Sequence, residues 1–301
     1  MKILIAGSRG FVGTALVNAL AGVRHTVYRL MRSESSARGG AKNGIDVAWD
    51  LAKGELGEAA AGADAVVNLA GAPFEGGRWT AKRMEVLQSS RVETTRALVG
   101  ALAKMNPRPG ALVSASFIGY YGSRGDELLT EESAEGGDFL AGLARVWEEE
   151  AVKAEALGIR VVRVRFGTIL GRDGGVLPKI MMPFKLGVGG RVATGRQWMS
   201  WLTLADAVGM LRFALENDAV QGAVNGVAPN AVRNTEFTKE LARALRRPAL
   251  FAVPAFALRL ALGEMADALL LTSQRVAPQR LEKLGYRFLH PDLASALKSI
   301  L

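Results

Sequence analysis

The chain has 301 residues, 49% of them hydrophobic, enough apolar material for one large α/β domain or a core domain with a smaller cap. It contains no cysteine and two histidines, which excludes disulfides and thiol nucleophiles, and no metal site is expected. The net charge of +9 comes from basic residues spread along the chain, with no run interleaved with aromatics, so a solvated basic surface is expected and a nucleic-acid groove is not.

The opening MKILIAG puts one lysine before an apolar run too short for a signal peptide, whose core needs roughly 7–15 residues. The longest apolar stretch, LFAVPAFALRLALGEMADALLL, is interrupted by Pro254, Arg259, Glu264 and Asp267 and does not read as a membrane span. A soluble, cytoplasmic protein without a membrane partner is the expectation, and the lack of cysteine suits a reducing compartment.

Residues 2–6 read as an apolar strand, Gly7, Gly10 and Gly13 as a turn, 14–21 as a helix and 25–31 as a second strand. The pattern is Gly-x-x-Gly-x-x-Gly rather than the standard Gly-x-Gly-x-x-Gly, but the physics is shared. One glycine permits the tight turn, one lets backbone approach a pyrophosphate, one lets helix pack on strand, and the helix N-terminus faces the phosphates. Gly7, Ser8, Arg9, Gly10, Phe11, Val12 and Gly13 are therefore candidate cofactor contacts. A site for NAD carries Asp or Glu at the end of the second strand, where this chain has Arg32 and Ser33. A guanidinium suits a 2′-phosphate, with Arg9 as a second clamp, so NADP(H) is the expected cofactor.

VAWD (47–50) ends a third strand, placing Asp50 and Leu51 to flank the adenine. Residues 63–74 read as a buried fourth strand, after which Leu69, Ala70 and Gly71 let backbone lie against the nicotinamide ribose. DFLAGLARVWEEEA (138–151) reads as a helix whose seam is Phe139, Leu140, Leu143, Val146, Trp147 and Glu150. The glycine-rich second half is expected to form a loop-and-helix cap, with Trp198, Met199 and Trp201 walling an apolar pocket and Arg196 and Gln197 as polar contacts. A helix capped at Thr203 and supported by Asp206 follows, then a strand from GAVNGVAP that returns to the sheet. The last 50 residues read as helical, with an apolar face for the main domain or for a second subunit in a homodimer.

Together these residues resemble the extended and atypical short-chain dehydrogenase/reductases, and within them the epimerase-family proteins. The resemblance rests on GSRGFVG, NLAGAPF, RW at 78–79, SRVETTRAL at 90–98, GYYG at 119–122 and GGDFLA…W at 136–147. GTILGRDGG at 167–175, PFKLGVGG at 183–190, GRQWMSWLTLADA at 195–207 and NGVAPNAVRNTEF at 225–237 continue it, and the tail from about Pro248 is similar to an extension peculiar to that group. It implies a Rossmann-like doubly wound parallel sheet over residues 1–167, completed by a strand near 222–228, with a substrate or cap region over 168–301.

The resemblance also implies that Arg91 stands beside the cofactor where many members carry asparagine, and that Arg165, Phe166 and Gly167 lie near the nicotinamide. It makes Ser116 the catalytic serine, with Ser114 as the alternative nearer the cofactor. Members of known chemistry add a Tyr-x-x-x-Lys pair, whose matching positions here are Phe139 and Leu143. No tyrosine in the chain precedes a lysine by four residues. Tyr120 or Tyr121, or Asp138 or a substrate carboxyl, replaces the proton donor, or there is no proton transfer. The expectation is an NADP(H)-dependent oxidoreductase or epimerase-like enzyme acting on a small molecule; the alternative is an inactive cofactor-binding sensor. Sugar-nucleotide epimerisation is disfavoured, since it relies on the missing tyrosine.

Overall fold

The computed structural model describes residues 1–23, 25–31, 43–75 and 77–301. Its central sheet has eight strands: β1 (Lys2–Ala6), β2 (Thr26–Met31), β3 (Ile45–Asp50), β4 (Glu55–Leu56), β5 (Ala65–Asn68), β6 (Ala111–Phe117), β7 (Arg160–Phe166) and β8 (Gly222–Gly226). Their order is β8-β7-β6-β5-β1-β2-β3-β4. Every pairing is parallel except that of β3 with β4. This is the doubly wound α/β sheet expected, with the chain reversing direction about β1 and leaving a crevice at the strands' carboxyl ends.

Helices cover both faces, which explains the near-continuous apolar runs of β1 and β5. On one face α1 (Phe11–Ala21) packs Leu16, Val17 and Leu20 with Leu211 and Leu215 of a later helix against Ile3, Ile5, Val67 and Val164. On the other, α2 (Ala81–Ala103) sets Leu98, Val99 and Leu102 on Leu4, Val66 and Leu112. Against α2 lies α3 (Phe139–Val152), started by Asp138, whose Oδ1 accepts from the Ala141 N–H at 2.9 Å.

Three boundaries differ from the sequence reading. α1 begins at Phe11 instead of Thr14, because Gly10 already takes the N-cap conformation. The strand read over 63–74 spans only Ala65–Asn68; Leu69 still donates to the Ala6 carbonyl, and the chain then leaves the sheet. The edge hairpin partner β4 carries only two residues and gives no periodicity to read.

Beyond β7 the chain builds a separate core from α4 (Leu177–Lys185), α6 (Asn234–Leu245) and α9 (Leu293–Ile300), joined by Trp201, Phe237 and Leu241. Between the first two, α5 (Leu204–Glu216) returns to the sheet beside α1, capped by Thr203 as read from the sequence. Asp206 is fully buried and accepts from Thr203 Oγ1 and from the Leu289 and His290 N–H groups at 2.9, 2.7 and 3.1 Å.

The tail is less helical than expected. Phe251–Val253 pairs in parallel with Gly190–Val192, and Arg275–Val276 with Leu128–Leu129. Between them α7 (Ala255–Leu262) buries no residue and exposes Phe256 and Leu260, whereas Met265, Ala268 and Leu269 pack on Trp79, Leu143 and Trp147. Met265 precedes a π-helical turn, Ala266–Leu271, and α8 (Gln279–Lys283) follows. Among the described residues no helix is long and apolar enough to cross a membrane.

Candidate functional site

The glycine turn leaves β1 at the carboxyl edge of the sheet. Gly7 has φ +78°, and a Cβ there would lie 2.5 Å from the Leu69 carbonyl, so only glycine fits between the two strand ends. A Cβ on Gly13 would overlap the Gly7 oxygen, so the helix packs directly on the turn. Gly10 caps α1 without a side chain, and no acidic residue occupies the first turn. The first N–H groups of α1 therefore face outward with the positive end of the helix dipole, an arrangement that receives phosphate. Ser8 is buried and its carbonyl accepts from Thr14 Oγ1 at 3.4 Å, while Arg9 is exposed beside it.

Two expected contacts are narrowed here. The Phe11 ring is enclosed by Gly171, Gly174 and Gly175, where added Cβ atoms would lie 2.5, 2.5 and 2.9 Å from it. Val12 packs on the first core. Both side chains are engaged in packing, which leaves their backbone N–H groups at the helix start.

Asp50 Oδ1 accepts from the Ala52 and Lys53 N–H groups at 3.0 and 3.1 Å, forming the turn after β3. Leu51 is half-buried against the second core. Arg32 and Ser33 lie outside the described residues.

Leu69 and Ala70 are half-buried and Gly71 is exposed. Beneath Gly71 lies Arg91 of α2, 5% exposed, donating to the Leu87 and Ala72 carbonyls at 3.0 and 2.9 Å. Its guanidinium carbon stands 4.1 Å from the Phe74 ring centre and 5.3 Å from that of Trp147. Burial, with the Arg83 charge adding to it and Glu75 opposing, pushes Arg91 down to about 10. Ser114 is turned inward: the Asn68 amide donates to it at 3.4 Å and to Thr95 Oγ1 at 2.8 Å, and Trp147 Nε1 donates to the same threonine.

Ser116 does not face the crevice. It is 3% exposed, and its hydroxyl donates to Glu148 Oε1 at 2.7 Å. Arg165 grips the same carboxylate through two nitrogens at 2.7 and 2.9 Å, and Arg163 adds a third contact at 3.2 Å. Ser116 and Arg165 are register partners on β6 and β7, so their side chains share the face that α3 covers. Burial alone would lower Arg165, but the Glu148 hydrogen bonds and charge outweigh it and the net direction is upward.

The tyrosines belong to this network. The Tyr120 ring lies over the Arg165 guanidinium, 3.4 Å from its centre, so its role is stacking. Tyr121 is fully buried, donates to Asn225 Oδ1 at 2.7 Å and accepts from Arg165 at 3.0 Å. Burial pushes its hydroxyl up to about 12, against the pull of Arg165, which unsuits it for proton exchange near neutral pH. Phe166 points into the first core, and a Cβ on Gly167 would lie 2.5 Å from the Ser200 carbonyl, so packing requires glycine there.

Glu148 was invisible to the sequence reading because it opens a run of three glutamates that looks solvated. Helical phase identifies it: it follows Leu140 by eight residues and Ala144 by four, both buried.

Phe139 and Leu143 both join an apolar cluster with Trp79, Leu87, Leu140, Trp147 and Met265. Leu143 is sealed in it, whereas Phe139 is half-buried, edge-on to Trp79 at 5.8 Å. Phe139 borders a cavity of about 460 Å³ between the start of α3 and the π-helical turn, lined also by Trp79, Asp138, Glu264, Asp267 and Leu271. A cavity of about 470 Å³ near Arg160 and Gly222 lies at the opposite, amino ends of β7 and β8. Among the described residues Trp198, Met199 and Trp201 are engaged in packing and hydrogen bonds rather than walling a pocket. Trp201 is core and donates to the Asn230 carbonyl, Trp198 is held between Arg233 and Arg275, and Met199 meets the Asn234 amide. Gln197 ties the Val192 and Leu270 carbonyls together, and Arg196 is exposed.

This frame and turn define a nucleotide-binding protein, and comparison with known proteins gives its kind. Residues 3–226 match the model of the NAD dependent epimerase/dehydratase family, and residues 253–300 match a domain of unknown function, DUF1731. The chain belongs to the NAD dependent epimerase/dehydratase family. It is 39% identical over 303 residues to epimerase family protein YfhF of Bacillus subtilis, covering 100% of this chain and 98% of that one. It is 36% identical to epimerase family protein SDR39U1 of Homo sapiens, covering 100% and 99%. A crystal structure of the human SDR39U1 protein with NADPH superposes with TM-score 0.87 at 33% identity, covering 100% of this chain and 99% of that chain.

Proposed function

We propose that this protein is an NADP(H)-dependent oxidoreductase acting on a small molecule held in the cavity between α3 and the π-helical turn. That cavity carries the reading: it opens beside Phe139, where the superfamily's tyrosine would stand, and a protein that only binds a dinucleotide has no use for it. Gly7, Ser8, Arg9, Gly10 and Gly13, with the N–H groups of Phe11 and Val12, hold the pyrophosphate. Leu69, Ala70, Gly71 and Arg91 border the nicotinamide ribose, Asp50 and Leu51 flank the adenine, and Arg32 and Ser33 take the 2′-phosphate. The human relative crystallised with NADPH supports the phosphate-bearing dinucleotide. When bound, the nicotinamide supplies or accepts hydride. With Ser116 and Tyr121 committed to the Glu148–Arg165 network, the groups able to carry a proton at the cavity are Asp138 and Glu264. A second reading, a sensor without catalysis, is favoured by the burial of Ser116 and Leu143.

The test is a fluorescence titration of the nucleotide-stripped protein with NADPH and NADH, followed by a screen of carbonyl compounds for NADPH oxidation. Expected are NADPH binding about tenfold or more tighter than NADH and turnover lost in Ala268→Trp, which fills the cavity while NADPH binding persists. Arg32→Asp should remove the preference for NADPH. No binding of either nucleotide overturns the cofactor reading; binding without turnover on any carbonyl leaves the sensor.

A further inference from the structure

Among the described residues Arg91 is a buried cation without a counter-ion, flanked by the ring faces of Phe74 and Trp147. Its two acceptors are neutral carbonyls, one from its own helix, and its Nε is buried without a hydrogen-bond partner. Among the described residues no carboxylate lies within ion-pairing distance of it; Arg165, by contrast, is neutralised by Glu148. A buried charge without a counter-ion is costly to keep, and glutamine or methionine would fill a similar volume at lower cost. Its surroundings add positive charge, since Arg83 acts on it more strongly than Glu75.

The guanidinium lies just beneath the surface of the site. Gly71 is exposed, and a Cβ on it would come 3.1 Å from the guanidinium carbon. Leu69 and Ala70 follow the end of β5 ahead of Gly71, and Gly7 closes against them. Anything seated over this turn feels the Arg91 charge through a thin, low-dielectric layer, where Coulomb forces are weakly screened.

Resting on the NADP(H) reading, we propose that Arg91 makes the site select the reduced cofactor over the oxidised one. The two forms carry the same phosphates, so cations at the pyrophosphate or 2′-phosphate favour both equally. They differ by one positive charge, on the nicotinamide ring of NADP+, and a fixed cation beneath that end opposes only the oxidised form. Each tenfold of preference corresponds to about 30 mV in the two-electron couple of the bound nicotinamide.

The experiment is calorimetric titration of the nucleotide-stripped full chain with NADPH and with NADP+, in wild type, Arg91→Gln and Arg91→Lys. Wild type should bind NADPH about tenfold or more tighter; Arg91→Lys should keep that ratio and Arg91→Gln should reduce it to about threefold or less. Because the charge is buried, the wild-type ratio should persist from about 50 to 500 mM salt, a reading that stands even if Arg91→Gln does not fold. Equal wild-type affinities, a ratio erased by salt, or an Arg91→Gln variant that weakens both forms alike overturns the proposal while leaving NADP(H) binding intact. Failure to bind either form overturns the functional reading itself.

Discussion

The hydroxyl of Ser116 lies 2.7 Å from the Glu148 carboxylate and hands its proton inward, away from the crevice. Ser116→Ala therefore tests a structural role against a catalytic one. The expected outcome is a loss of about 1–2 kcal/mol in stability by urea unfolding with NADPH affinity unchanged within about twofold. Glu148→Ala should cost about 3–5 kcal/mol, because it strands Arg165 as an unpaired buried charge.

Alkaline pH should separate Tyr121 from Arg91. Tyr121 is raised to about 12 in the folded protein, so its contribution is fully present below its unfolded value near 10 and is lost as pH rises through 12. Arg91 is lowered to about 10, so its burial cost is relieved over the same interval and opposes the loss. The two signs oppose each other, and Tyr286, which burial and the Asp206 charge also raise, adds a further loss, so the Tyr121 share must be read by difference. Between about pH 10 and 12, stability of Tyr121→Phe should gain on that of wild type by about 1.4 kcal/mol per pH unit. Parallel denaturation curves across that interval would contradict the assignment.

Gly7→Ala forces a Cβ into the Leu69 backbone from a left-handed conformation. A loss of at least about 2 kcal/mol is expected, along with NADPH binding, as read by thermal melting and titration.

Restoring the superfamily pair should not succeed. Phe139→Tyr places a hydroxyl at the cavity edge and should change stability by less than about 1 kcal/mol. Leu143→Lys puts an ammonium into a closed apolar cluster and should cost about 3–5 kcal/mol in urea unfolding.

Asp206→Ala should free the tail. It removes the acceptor for the Leu289 and His290 N–H groups in a fully buried site, for a loss of about 3–5 kcal/mol. Limited proteolysis should cut near residue 288 before any global unfolding; uniform resistance there would contradict it.

The parallel sheet and its glycine turn were legible in the sequence because local rules decide them. An apolar run followed by Gly7, Gly10 and Gly13 fixes strand, turn and helix within a dozen residues. The helix from Asp138 was equally legible, through its cap and its 3.6-residue seam. The direction of Ser116 was not. Its alternation along β6 puts it on one face, but which face, and what waits there, depends on Glu148 and Arg165, each far away in sequence. Trp198 and Trp201 misled for a related reason: an aromatic reads alike whether it lines a hollow or staples two segments, and here Asp126, Arg233 and Arg275 decide for Trp198 and the Asn230 carbonyl for Trp201. The cavity's outer wall comes from residues 264–272, whose apolar pattern says that they dock but not where.

The pairing of Arg275–Val276 with Leu128–Leu129, near the chain's end and before its middle, sets an order of assembly. Residues 1–167, which carry strands β1 to β7, leave the ribosome before the segment that walls the cavity. Glu264, Asp267 and Leu271 follow about a hundred residues later, at the usual pace a matter of several seconds. During that interval Trp79 and Trp147 lack Met265 as a cover. A nascent chain halted before residue 250 would therefore lack one wall of the cavity beside Phe139 and leave Trp79 and Trp147 uncovered by Met265.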